Sequence, residues 1–316
     1  LYNGSKRLKT IQQEKLNNQV AELDVATSEN SIQESIAQIY IQILYAAESV
    51  RVNENTLQVS IAQRDRGQEL LNAGSIAKSD FAQLEAQVST DRYQLVTAQA
   101  TLQDYKLQLK QLLELDGENE MNIYLPALSD ENVLSPLPAK RDVYVSALAL
   151  RPEIEASKLN VNASELGIDI AKSGYLPTVS LSAGIGTNHT SGSDFTFSEQ
   201  VKNGWNNSIG LSVSVPIFNN RQTKSAVQKA KLQYETSMLS LLDEQKALYK
   251  TIEGLWLDAN SAQQRYAAAN EKLKSTQISY NLISEQFNLG MKNTVELLTE
   301  KNNLLQAQQE QLQAKY

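Results

Sequence analysis

The sequence predicts a mainly α protein: two long antiparallel coiled-coil hairpins with one β-hairpin between them. Three observations carry that prediction. Residues match one another at a spacing of 216 with no gap. Apolar residues keep a heptad rhythm along stretches far longer than a globular core uses. Two short segments, TVSLSAGIG and SIGLSVSVPI, alternate apolar with small side chains.

The composition of the 316 residues agrees with long helices. Gln, Asn, Ala, Leu, Glu and Lys dominate, and only 13 Gly and 6 Pro punctuate the chain. The formal net charge of -7 argues against nucleic acid as a partner, because phosphate contacts need clustered Lys and Arg. The absence of cysteine excludes disulfide scaffolds and thiolate metal sites. No run of about 18 apolar residues is present, so no transmembrane helix is expected.

Setting each residue on the one 216 further along places Leu1-Tyr2-Asn3 on Ile217-Phe218-Asn219, Leu23 on Leu239 and Leu57 on Leu273. Glu69 then falls on Glu285, Gly74 on Gly290 and Asp80-Phe81 on Glu296-Leu297. A period this long points to two structural halves rather than a solenoid. Each half is read as a helix, from about Ser5 to Leu71 and from about Gln222 to Phe287. At 1.5 Å per residue each would run roughly 100 Å. Val227, Tyr234, Leu241, Leu248 and Leu255 mark the heptads of the second, and Ile32, Ile36, Ile39 and Ile43 step by four and three in the first. Asn72-Ala73-Gly74 and Asn288-Leu289-Gly290 end the two helices, glycine being favoured just past a helix C-terminus. A return helix follows, with Phe81, Leu84, Val88, Leu95, Leu102, Leu109 and Leu112 on one stripe.

These readings divide the chain serially. Residues 1–113 are a first helical hairpin, 114–142 a Pro- and acid-bearing linker, 143–173 a helix, 174–218 a β-hairpin and 219–316 a second helical hairpin. Gly174-Tyr175-Leu176-Pro177 stops the helix before the strands, since the residue before proline disfavours helix.

In the strands Val179, Leu181, Ala183 and Ile185 share one face, as do Ile209, Leu211, Val213 and Val215. Ser and Gly occupy the other face. Such a pattern suits a sheet packed on a core, and equally a membrane barrel with lipid on one side and water on the other. The polar linker His189–Asn207 reads as a loop, and Tyr175, Trp205 and Phe218 stand near the strand ends, where aromatic girdles form.

Arg151-Pro152-Glu153-Ile154, Ser173-Gly174-Tyr175-Leu176-Pro177 before a strand, and Val215-Pro216-Ile217-Phe218-Asn219 at a strand exit together resemble the outer membrane efflux protein (TolC-like) family. The segments Ala73-Gly74…Asp80 and Leu289-Gly290…Glu296-Leu297-Leu298 resemble that family's helical turns. The resemblance covers essentially the whole chain. It implies a homotrimeric channel in the outer membrane of a Gram-negative bacterium. Three chains would each give strands to one β-barrel and helices to an α-helical barrel in the periplasm. Its implied partners are a periplasmic adaptor (a membrane fusion protein), an inner-membrane pump and outer-membrane lipid; no cofactor is implied. The family's first strand hairpin and the helix before it are expected ahead of Leu1. The competing reading is a periplasmic coiled-coil scaffold that does not span the membrane.

By position, the resemblance places a periplasmic gate at Glu296, Thr299, Asp80, Lys292 and Phe287. Glu296 matches an acidic ring residue, and Thr299 stands where some members carry a second acid. Lys292 and Asp80 match a latch between hairpins. Phe287 replaces a tyrosine that bonds across the tip in some members. Gly74, Ser75, Gly290 and Met291 are the turn positions implied to touch the adaptor, and Val179, Leu181, Ile185, Leu211, Val213 and Val215 the positions implied to face lipid. Helix capping explains Glu296 as well as gating does, because Asn293 and Glu296 have capping-box spacing.

No enzyme is expected. His189 is the one histidine, it has no cysteine to join it at a metal, and no serine-rich stretch has a histidine base nearby.

Overall fold

The computed structural model describes residues 1–115, 123–126 and 133–316. The expected linker loop falls partly on 116–122 and 127–132, outside the described residues. In chain order the elements are β1 (Tyr2–Asn3), α1 (Lys6–Asn72), α2 (Lys78–Leu112), α3 (Lys140–Leu150) and α4 (Pro152–Lys172), followed by a 3-10 turn at Ser173–Tyr175. Then come β2 (Thr178–Gly186), α5 (Phe197–Asn203), β3 (Asn206–Ser214), α6 (Gln222–Asn288) and α7 (Thr294–Lys315). The protein is mainly α with long antiparallel helices and a small antiparallel sheet. No described helix is long and apolar enough to cross a membrane.

The duplication is present in the backbone. α1 and α6 both span 67 residues, and every boundary of one is the other's shifted by 216. Ahead of α1, Gly4 and Ser5 have φ of +62° and +63°; ahead of α6, Asn220 and Arg221 have +50° and +61°. Only short polar residues or glycine reach this region cheaply, and Arg221 there marks a tightly determined junction.

Two compact units emerge, residues 1–28 with 144–250 and residues 29–143 with 251–316. They follow spatial packing, whereas the serial segments follow the duplication.

In the first unit the sheet has the order β1-β2-β3, with Tyr2 opposite Val179, Leu181 opposite Leu211 and Ala183 opposite Ile209. β2 matches its expected bounds. β3 begins at Asn206 and ends at Ser214, two residues earlier than the expected start at Ser208, and Val215 lies just past its end. Pro216 cannot donate to a ladder, while Asn206 and Asn207 complete the pairing with Gly186 and Ile185. Within the expected loop, Thr196 and Glu199 form a capping box that starts α5. The stretch expected as one helix from Val143 to Ser173 is two, broken at Arg151, whose backbone is extended ahead of Pro152. The helices of this unit are tied by Lys9 with Asp169, by Gln13 Nε2 donating to Ala163 O at 2.8 Å, and by Ser164 with Ser237 at 2.7 Å. Tyr144 packs edge-on against Tyr249. Along α6, Val227, Tyr234, Leu241 and Leu248 are half-buried, as their heptad spacing requires, and Leu255 is exposed.

The core of the second unit joins four helices. Leu70 of α1, Leu84 of α2, Tyr280 and Phe287 of α6, and Leu297 and Leu304 of α7 form one buried cluster. Residues 133–140 of the linker lie along α6: Gln263 Nε2 donates to the carbonyls of Val133 and Ser135, Trp256 Nε1 donates to Pro138 O at 3.1 Å, and Lys140 sits over the Trp256 ring.

Candidate functional site: the tip turns and the exposed sheet

Both tip turns belong to the second unit, and both close by the same hydrogen bonds. Ser75 N–H donates to Leu70 O at 2.8 Å and Gly74 N–H to Leu71 O at 3.0 Å; Met291 N–H donates to Gln286 O at 2.8 Å and Gly290 N–H to Phe287 O at 2.9 Å. This is the pairing of a Schellman cap, which needs a left-handed residue one past the helix. Gly74 and Gly290 supply it with φ of +71° and +74°. A Cβ at either would meet nothing within 4 Å, so the glycines answer to backbone conformation and not to crowding. Gly74, Ser75, Gly290 and Met291 are all exposed.

Beyond the turns the two helix starts differ. Ala77 N–H donates to Asp80 Oδ2 at 3.3 Å, and Ala77 offers no side-chain oxygen in return. At the second turn the capping box is complete: Glu296 N–H donates to Asn293 Oδ1 at 2.9 Å and Asn293 N–H to Glu296 Oε2 at 3.2 Å. The other carboxylate oxygen, Oε1, accepts from Lys292 Nζ. The Lys292 ammonium, aided by the Asn293 N–H, holds the Glu296 carboxyl below its ordinary value. Thr299 is exposed and its hydroxyl donates to Val295 O at 2.7 Å.

Within the chain, two of the expected gate positions have other surroundings. The Asp80–Lys292 pairing does not form within the chain: the lysine is one helical turn from Glu296 and pairs with it, and Asp80 caps its own helix. Phe287 lies beneath the second turn. It is 2% exposed and belongs to the buried cluster under the turn, where its apolar ring packs with Leu297 and Tyr280.

The sequence reading missed a polar group deeper in the same unit. Asp91 of α2 accepts from Lys301 Nζ of α7 and from Ser60 Oγ of α1, all three buried. Its other oxygen accepts from Gln87 Nε2 at 2.9 Å. Nearby, Gln63 of α1 donates to the Tyr280 hydroxyl at 2.7 Å. The signal was legible: Asp91 continues the stripe of Leu84 and Val88, and Lys301 lies between Leu297 and Leu304 at seam spacing.

In the sheet of the first unit, Leu181, Ile185, Ile209, Leu211 and Val213 stand on one face, and each is more than half exposed. Ile209, at 84%, is an isoleucine with almost no cover. Val215 is exposed beyond the strand end, and Val179 is half-buried near β1. The opposite face is made of Ser180, Ser182, Gly184, Ser208, Gly210 and Ser212. There, Ser182 Oγ donates to Gly210 O at 3.3 Å. Tyr175, Trp205 and Phe218 are exposed at the strand ends. Among the described residues no group of three or more His, Cys, Asp or Glu could hold a metal.

Comparison with known proteins places this arrangement. The chain is 24% identical to the outer membrane efflux protein BepC of Brucella suis biovar 1 over 290 residues, covering 91% of this chain and 60% of that protein. It is 24% identical to the outer membrane protein TolC of Escherichia coli K12 over 311 residues, covering 94% and 61%. The chain thus spans about three fifths of the length of these relatives. A crystal structure of CusC, described in connection with transmembrane channel formation, superposes with a TM-score of 0.84 at 19% identity, covering 99% of this chain and 71% of that one. The family described as outer membrane efflux protein matches residues 143–316, more than half of the sequence, and the chain belongs to that family.

Proposed function

We propose that this chain forms part of a passive export duct, the outer-membrane channel of a tripartite efflux or secretion system. The segment 174–218 crosses the membrane as strands of a β-barrel, and the helical hairpins carry the duct through the periplasm. One observation supports the reading above the others: the sheet leaves an aliphatic face uncovered, while the face behind it is serine and glycine except for Thr178 and Asn206 at its two ends. About nine residues of tilted strand span a bilayer. Every backbone group in hydrocarbon must be paired, which strands achieve only in a closed barrel. β3 pairs with β2 on one side only among the described residues. Strands from further copies close the ring, and a homotrimer accounts for this as it does in the family resemblance.

In the assembled duct Val179, Leu181, Ile185, Leu211, Val213 and Val215 face lipid. Glu296 lines the periplasmic aperture, where three copies make a negative constriction that favours cations. Lys292 partly cancels each charge. Thr299 lies one turn further along the same helix. The turns at Gly74-Ser75 and Gly290-Met291 meet a periplasmic adaptor, which couples the duct to an inner-membrane pump.

Full-length protein added to a planar bilayer gives stepwise, cation-preferring conductance. Glu296→Gln lowers the preference for cations, and Lys292→Gln raises it. Silent bilayers, together with protein that fractionates free of lipid without detergent, would favour the periplasmic scaffold.

A further inference from the structure

Three side chains from three helices and both hairpins meet out of water: Ser60 of α1, Asp91 of α2 and Lys301 of α7. Asp91 is 1% exposed and Lys301 3%. Every other ion pair among the described residues joins side chains at least 26% exposed. Such surface pairs add little to stability. A buried pair is different in kind: both ions lose their water, and well-packed apolar side chains would often serve stability as well or better. Burial pushes the Lys301 ammonium's pKa down, and the Asp91 carboxylate pulls it back up. Stability is therefore a weak reason for the pair.

The duplication supplies a stronger one. A chain whose two hairpins share a backbone has several seams that can be paired wrongly or slipped by a turn. Leucines discriminate weakly among such partners, whereas one buried polar position can fix partner and register in a coiled coil. The cluster has the asymmetry this needs. At the 216-residue shift Asp91 becomes Ala307, Lys301 becomes Glu85 and Ser60 becomes Thr276, so exchanging the hairpins cannot recreate it. A slip of α7 along α2 would leave Lys301 in the dry seam without its carboxylate.

We propose that Ser60, Asp91 and Lys301 form a register lock, which selects α2 of the first hairpin as the partner of α7 of the second and holds them at one level. The lock lies inward of both turns: Lys301 is the eighth residue of α7 and Asp91 the fourteenth of α2, about 12 and 21 Å along their axes. Movement of the tip is confined to the segments beyond it. That last consequence matters to an aperture only under the duct reading; the lock itself does not depend on it.

The test uses full-length protein. Its described portion has no cysteine, so spin labels at exposed Thr90→Cys and Asn302→Cys report the α2–α7 distance. The native sequence gives one narrow distance distribution. Lys301→Met leaves a buried carboxylate without its cation and speeds amide exchange in the α7 segment before the lock by about a hundredfold. Asp91→Leu with Lys301→Leu removes the pair without leaving a charge. This double variant keeps its thermal midpoint within a few degrees, yet its distance distribution broadens or splits. A merely stabilising pair would not separate those two readouts. A double variant that keeps the single narrow distance overturns the proposal, whatever Lys301→Met does. Neither readout involves conduction, so silent bilayers count against the duct and leave the lock standing.

Discussion

The two tip turns share a backbone and differ in chemistry. Gly74 and Gly290 agree in φ to within three degrees, and the hydrogen bonds around them correspond one for one. Around that common frame the first turn carries Ala77 and a single carboxylate bond, while the second carries Asn293, Glu296 and Lys292 in a closed network. The cores beneath differ too: Leu84 is buried where its counterpart Glu300 is half-exposed, and Leu297 is buried where its counterpart Phe81 is half-exposed. Helix length and one glycine are enough to preserve a turn, which leaves charge and packing free to diverge between the copies.

The largest difference between the halves is in packing. Leu84→Ala and Leu297→Ala each destabilise the second unit by about 2 to 5 kcal/mol through lost burial and the cavity left behind. Phe81→Ala costs less than Leu297→Ala, and Glu300→Ala little, by denaturant midpoint. Equal losses at the paired positions would erase the asymmetry.

Capping gives a smaller contrast. Ala77 already has the extended backbone of a cap residue, with φ -81° and ψ 158°, and lacks only an acceptor. Ala77→Asn stabilises by about 1 kcal/mol and Asn293→Ala destabilises by about as much, which brings the turns toward one another in thermal midpoint.

The smallest effect follows pH. The Glu296 carboxyl titrates below its ordinary value of 4.5, because Lys292 and the Asn293 N–H favour its charged form. Its pairing therefore contributes fully above 4.5 and is lost as pH falls through the depressed value. Carboxyl titration by NMR finds Glu296 charged at pH 4.5, and Lys292→Gln raises its pKa toward the ordinary one. An unmoved pKa in that variant would remove Lys292 from the network.

Much of the architecture was legible in the residues. Glycines and heptads located α1, α6 and both turns, because a helix end depends on local conformation. β2 was placed by its alternation. β3 was displaced by two residues because its start depends on which residues of β2 lie opposite, and that is not local. The break at Arg151 was available from the proline that follows it, and α5 from Thr196 and Glu199 at capping-box spacing. At the candidate site the turn positions were found, but side-chain partners were not. Lys292 could be aligned with a latch, yet its choice of Glu296 over Asp80 is decided by distance across one helical turn. The buried cluster was hidden by habit: charges on helices are usually solvated, and only their phase against the leucines reveals the exception.

The small face of the sheet limits what its sequence can tolerate. A Cβ at Gly184 would stand 2.9 Å from Ser208 Oγ, and one at Gly210 would stand 3.0 Å from Ser182 Oγ. The hydroxyls and the bare backbones thus fill one another's space across the strands, and this side of the sheet is nearly as flat as a polypeptide can make it. A single methyl added at either glycine would have to displace the serine across from it.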